Sequence, residues 1–214
     1  MIEAVLFDMD GVLVDSEDYI CEAAILMFQK YGVDVRPADF KPFIGRGEDI
    51  YLGEVAKKYG VNFRIKNAKA RTYAIYDELV AGRLQPLNGV YDFIARCKSK
   101  GLKMAVATSA DETKMHINLR ELKLEEGTFD ALIHGLMVKN KKPLPDIYLM
   151  AAEAVGCDPS VCLVVEDAVN GVQSAKKAGA KCLALTSSFS PAALKEADWI
   201  CKDLSDVPED VLNW

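Results

Sequence analysis

Short runs without a polar residue recur along this chain, and each is followed by a longer stretch with helical spacing. Ala4-Val5-Leu6-Phe7 is the first, Met104-Ala105-Val106-Ala107 the second and Ala131-Leu132-Ile133 the third. Val161-Cys162-Leu163-Val164-Val165 and Cys182-Leu183-Ala184-Leu185 follow, and Trp199-Ile200-Cys201 reads as an edge. A strand with one solvated face alternates apolar and polar residues. Strands that are apolar throughout, each leading into a helix, describe a parallel sheet covered on both faces. The helices between them are expected over 89–99, 111–122, 146–155, 169–178 and 190–197, with Gly101 and Gly179 ending two of them just before a strand. The fold class is α/β.

Residues 16–82 break that alternation. They hold no convincing strand and read as helices over 17–30, 48–59 and 67–80. An insertion of ~65 residues far exceeds an ordinary strand-to-helix connection of about two to six. It is read as an α-helical cap domain over the carboxyl ends of the strands, with 1–15 and 83–214 forming the core and hinges expected at 14–16 and 81–86.

Composition removes other classes. Lys and Arg number 26 against 32 Asp and Glu, a net charge of −6, which argues against nucleic acid or an anionic membrane as a partner. No apolar run approaches the ~20 residues of a membrane span, and Met1-Ile2-Glu3 lacks the basic start of a secretory signal. The six cysteines include no C-x-x-C pair, and His116 and His134 do not complete a zinc set at usual spacings. The expectation is a cytoplasmic protein with reduced thiols, and nothing demands more than a monomer.

In an open α/β sheet, ligands bind outside the carboxyl ends of the strands. There the first run ends in Asp8-Met9-Asp10-Gly11, the second in Thr108-Ser109 and the fourth in Glu166-Asp167, while Lys142-Pro143 is expected to open a helix. Four carboxylates and one ammonium at a single mouth repel one another unless a cation joins them. Oxygen ligands of this kind favour Mg²⁺, with substrate phosphate oxygens completing its shell. Asp8 is then placed as a nucleophile toward phosphorus and Asp10 as acid and base. Thr108, Ser109 and Lys142 would bind phosphate oxygens, and Asp167, with Glu166 as ligand or neighbour, would hold the metal.

The string Phe7-Asp8-Met9-Asp10-Gly11-Val12-Leu13-Val14-Asp15-Ser16 resembles the opening signature of the haloacid dehalogenase-like hydrolases, in the group related to β-phosphoglucomutase. Ala107-Thr108-Ser109, Lys142-Pro143-Leu144-Pro145-Asp146 and Val165-Glu166-Asp167-Ala168 resemble its later motifs, in order. The resemblance covers 1–16 and about 84–190. It implies a Rossmann-like core with a helical cap, Mg²⁺, and phosphoryl transfer through an aspartyl-phosphate on Asp8. By the same analogy the metal set is Asp8, the backbone carbonyl of Asp10, Glu166 and Asp167. Dehalogenation is not expected, because Asp10 is present.

Mutases of that group carry a histidine just after the first motif and a cap arginine for a second phosphate. Here the first position is Ile20, and the cap loop Gly45-Arg46-Gly47-Glu48 offers only a displaced Arg46. Ala110-Asp111-Glu112 replaces the polar and basic residues that follow Thr108-Ser109 in mutases, and acids there would repel a bisphosphate. The reading is therefore a phosphatase of a small phosphorylated metabolite, with Arg46 and Glu48 as cap candidates for substrate contact. The alternatives are a phosphosugar mutase of the β-phosphoglucomutase type and, from another class, a non-catalytic protein that binds Mg²⁺ and a phosphoester. A phospho-acceptor signalling module fits less well, since it lacks such an insertion.

Overall fold

The computed structural model describes residues 1–124 and 127–214. Strands β1 (Ala4–Phe7), β2 (Lys103–Ala107), β3 (Ala131–Ile133), β4 (Cys162–Glu166), β5 (Lys181–Leu185) and β6 (Trp199–Cys201) form one parallel sheet in the order β3-β2-β1-β4-β5-β6. These are the apolar runs of the sequence, shifted at their ends. Val161 lies outside β4 because Pro159–Val161 form a 3-10 turn, capped where Asp158 accepts from the Ser160 amide.

β1 is central, with Phe7 opposite Val106 on one side and Val165 on the other. The chain winds away from β1 in both directions, so a crevice opens at the carboxyl end of this strand. Successive side chains of a strand face opposite ways. Val5 and Phe7 accordingly join Phe93, Ile94 and Cys97 of α5 (Val90–Ser99). Ala4 and Leu6 join α7 (Asp146–Ala154) and α8 (Val169–Ala178) on the other face through Tyr148, Ala151, Val172 and Ala175. Phe7 meets Phe93 and Phe129 edge-on at 6.0 and 5.9 Å, contacts worth ~1 kcal/mol each beyond burial.

The segment 17–80 is helical: α1 (Glu17–Gln29), α2 (Pro37–Phe40), α3 (Glu48–Lys58) and α4 (Ile65–Val80). Sequence periodicity could not show α2, which is a single turn begun by Pro37 and closed where Asp39 accepts from the Arg36 amide at 2.8 Å. These helices enclose their own cluster, in which Phe28 packs on Phe40 and Phe63 and Phe40 stacks on Tyr51 at 4.8 Å. α1 serves two cores, since Ile20 and Ala23 join the sheet's cluster while Ala24, Met27 and Phe28 belong to the helical one.

A seam joins α4 to α6 (Glu112–Glu121) of the core. Tyr76 donates to Asn118, Lys69 binds Asp111 at 2.6 Å, and Arg120 pairs with Asp77. The two chain crossings also meet: Val14 bridges to Asp10 and to Pro86, and the Leu87 amide donates to the Leu13 carbonyl at 3.0 Å.

Two expectations are corrected. Residues 190–197 are not a helix but a series of turns, with Leu194 bonding back to Pro191 and Ala197 to Leu194. So short a stretch cannot nucleate a helix without a packed stripe, and only Leu194 is buried. Lys142-Pro143 does not open a helix either. It lies in a turn, and α7 begins at Asp146.

Candidate active site

β1 stops at Phe7 and the chain turns sharply through Asp8–Val14. The Met9 carbonyl accepts from Leu13 at 2.8 Å, and Gly11 takes φ +78°. That φ is strained for any side chain, and a Cβ on Gly11 would also fall inside the Asp167 carboxylate. Gly11 therefore lets the loop after β1 lie against the loop after β4. As a result one oxygen from each of Asp8, Glu166 and Asp167 lies within 4.8 Å of the others, all three residues being buried.

Lys142 enters this cluster from the turn before α7. Its Nζ stands 2.7 Å from Asp8 Oδ1 and 2.7 Å from Glu166 Oε1. Tyr148, one turn into α7, donates to the same Glu166 oxygen at 2.8 Å and sits below the ammonium. The other Glu166 oxygen accepts from the amides of Asp167 and Ala168, both at 2.9 Å. Four donors thus saturate a carboxylate with no exposure at all, and Gly171 leaves room for it where a Cβ would collide. Glu166 acts first as the clamp for Lys142 and the Asp167 loop.

The electrostatics follow the geometry. Burial, with Glu166 and Asp10 nearby, pushes the Asp8 carboxyl up to about 7 against the pull of Lys142. Burial and the charges of Glu166 and Asp8 push Asp167 well above the carboxylate range. Burial alone would lower Lys142, yet Asp8 and Glu166 hold its ammonium above the ordinary lysine value. Three buried acids with one cation are short of positive charge. The hard-oxygen donors of Asp8 and Asp167 fit a small divalent cation such as Mg²⁺.

Asp10 is turned away from the other acids. Its carboxylate accepts from Ser16 and from Lys114 Nζ, the latter at 2.9 Å, on the side facing Glu17 and Glu48. Thr108 is buried, its hydroxyl accepting from the Ala110 amide at 3.1 Å, and Ser109 follows at the end of β2. All of these residues line one cavity of about 980 Å³. Arg46 reaches it from an exposed loop, and Glu48, itself buried, from the first turn of α3. Ile20 lines it as well.

Lys114 is a functional candidate the sequence reading passed over. It is 3% exposed and held charged by Asp10 despite its burial, with Tyr76, Glu48 and Glu17 adding to the effect. A lysine one position before Met115, on the buried stripe of α6, is the signal that could have revealed it. The acids cited against a second phosphate also need correction. Asp111 is engaged by Lys69 and Glu112 is exposed, and neither lines the cavity. The acids that line the cavity toward α3 are Glu17 and Glu48.

A Rossmann-like sheet carrying acids at two strand ends, a buried lysine and a helical segment over the crevice defines a phosphoryl-transfer architecture of one kind. The haloacid dehalogenase-like hydrolase model matches residues 5–185, and the chain belongs to that family. A relative from Arabidopsis thaliana, the chloroplastic protein SUPPRESSOR OF QUENCHING 1, is 43% identical over 199 residues; these make up 92% of this chain but only 19% of that protein. The phosphorylated carbohydrates phosphatase of Thermotoga maritima is 34% identical over 178 residues, 83% of this chain and 82% of that protein. The crystal structure of CbbY from Rhodobacter sphaeroides in complex with phosphate aligns over the full length of both chains, with a TM-score of 0.87 and 25% identity. Relatives of matching length place the chain with the phosphoric monoester hydrolases of the family. No described helix is long and apolar enough to cross a membrane.

Proposed function

We propose that this chain is a Mg²⁺-dependent phosphatase of small phosphorylated carbohydrates that works through an aspartyl-phosphate on Asp8, with 16–82 as its cap domain. The observation that carries the reading is the Asp8–Lys142–Glu166–Asp167 cluster at the floor of a cavity large enough for a sugar phosphate. Relatives named for phosphorylated carbohydrates and for 6-phosphogluconate support the substrate class.

Asp8 and Asp167 would hold the metal, with the carbonyl of Asp10. Bound there, Mg²⁺ supplies positive charge that lets a carboxylate approach a phosphate dianion. The side chains do the rest. Lys142 fixes one oxygen of Asp8, leaving the other to attack phosphorus in line with the ester oxygen. Asp10 gives its proton to that leaving oxygen, then takes one from the water that cleaves the aspartyl-phosphate and frees Asp8. Lys142, Thr108 and Ser109 surround the oxygens on which charge accumulates. Ile20 lines the cavity where mutases of the group carry a histidine, so no imidazole is there to orient a phosphosugar, which favours water in the second step.

The test is phosphate release from a panel of sugar phosphates and p-nitrophenyl phosphate, with Mg²⁺ or with chelator, while β-glucose 1-phosphate isomerisation is followed in parallel. Metal-dependent release without isomerisation is expected. Isomerisation faster than release would make the protein a mutase, and binding without turnover would make it a phosphoester-binding protein.

A further inference from the structure

The cavity has two unlike ends. At its floor both oxygens of Glu166 are fully engaged, and Lys142 bridges Glu166 to Asp8. Toward α3, buried oxygens stand without a well-formed hydrogen bond among the described residues: Glu17 Oε1, Glu48 Oε2 and the hydroxyls of Tyr51 and Tyr73. Glu48 and Tyr51 are 7% and 5% exposed, and both line the cavity together with Glu17. Buried polar atoms are almost always paired, so this group points to a ligand. We propose that this end is a subsite for an uncharged, hydroxyl-rich leaving group, read by Glu17, Glu48 and Tyr51, and that it disfavours a second anionic group.

The chemistry of the unpaired atoms selects the ligand. A carboxylate only accepts hydrogen bonds, whereas a phenol both donates and accepts. Tyr51 neighbours Glu17, and Tyr73 neighbours Glu48. At the cavity wall Tyr51 thus offers a donor beside the acceptor Glu17, with Glu48 as a second acceptor, the complement of an alcohol that gives one hydrogen bond and takes another; Tyr73 does not line the cavity. A second phosphate or a carboxylate would face two acids. The nearby cations offset them only in part, since Lys114, which attracts both acids, is already bound to Asp10 at 2.9 Å and the half-buried Lys69 is held by Asp49 and Asp111. Arg46 and Lys41 are exposed on the rim, where they would attract the incoming phosphate. Burial holds the Glu48 carboxyl near 7, so near neutrality it can also donate to an alcohol.

This inference rests on the phosphatase reading, and one set of assays separates the two. Initial rates would be compared for a hexose 6-phosphate, the matching hexose 1,6-bisphosphate, a phosphorylated sugar acid and p-nitrophenyl phosphate. The monophosphate of the neutral sugar is expected to exceed the bisphosphate and the sugar acid at least tenfold in kcat/KM. Glu48→Gln and, independently, Tyr51→Phe should each shrink that preference about tenfold, mainly by raising KM for the neutral sugar ester. Equal or better use of the bisphosphate, lost on Arg46→Ala, would assign the second phosphate to the rim and overturn the proposal. An unchanged preference in both folded variants would overturn it too. Turnover of p-nitrophenyl phosphate alone would sink the subsite and leave the phosphatase standing. No turnover of any ester would sink both.

Discussion

The floor of the cavity and its roof are built from the same kinds of side chain and could hardly be more different in state. Around Glu166, at the end of β4, two amides of the loop that follows, a lysine from the turn before α7 and a tyrosine of α7 fill every acceptor site. Around Glu48, acids and phenols face one another unbonded on helices joined by loops. A group that must hold a phosphoryl transition state gains from being locked before substrate arrives. A group that recognises a ligand can stay unsatisfied until the ligand completes it. Under the proposed function, the contrast divides the cavity into a part that reacts and a part that selects.

The sharpest attack on that division is Asp8→Asn. It should lower phosphatase turnover at least about a thousandfold while thermal melting shows the fold intact; residual turnover near the parent rate would remove the covalent step. Next comes Lys142→Met, which strands the buried carboxylates of Asp8 and Glu166. A loss of ~3–5 kcal/mol in denaturant unfolding is expected, and a loss under ~1 kcal/mol would mean that the floor is not locked as described. Adding Mg²⁺ at a hundredfold excess over its Kd should stabilise the chain by ~2.7 kcal/mol, read as a Tm rise that chelator reverses and that Asp167→Asn abolishes.

The roof gives smaller signals. Its Glu48 has a folded-state pKa of about 7 against an ordinary 4.5, so between those values the folded chain binds the extra proton. That contribution favours the fold at low pH and fades as pH rises through 7. Glu48→Gln is therefore expected to raise Tm relative to the parent at pH 8 and to do so less at pH 5; an equal change at both would show that Glu48 is ionised throughout. Smallest of all is Arg120→Ala on the seam. Arg120 and Asp77 are both about half exposed, so no more than ~0.5 kcal/mol should be lost.

Most of the floor was legible in the sequence. Asp8, Thr108, Glu166 and Asp167 each follow an apolar run, and a parallel sheet brings such positions to one edge whatever lies between them. Lys142 was legible as a residue, but not its setting in a turn, because X-Pro pairs begin turns and helices alike. The roof was much less readable. Helical spacing identifies a buried face without saying which neighbour covers it, so nothing in the sequence singles out Glu17 or Tyr51. Lys114 shows the limit most clearly. It occupies a core position of α6, and only the arrival of Asp10 from 104 residues away gives that charge a reason to be there. Asp111 was misjudged for the same cause, since its partner Lys69 lies 42 residues upstream on another helix.

The bridge between Val14 and Pro86 carries a mechanical consequence. Two separate tethers would leave the inserted helices free to swivel as well as tilt over the sheet. Paired side by side, the tethers form a short ribbon, which flexes about one axis and resists torsion. Ser16, whose hydroxyl holds Asp10, sits two residues from that ribbon's edge. The hydroxyl that orients Asp10 therefore belongs to the same paired crossing that ties the inserted helices to the sheet.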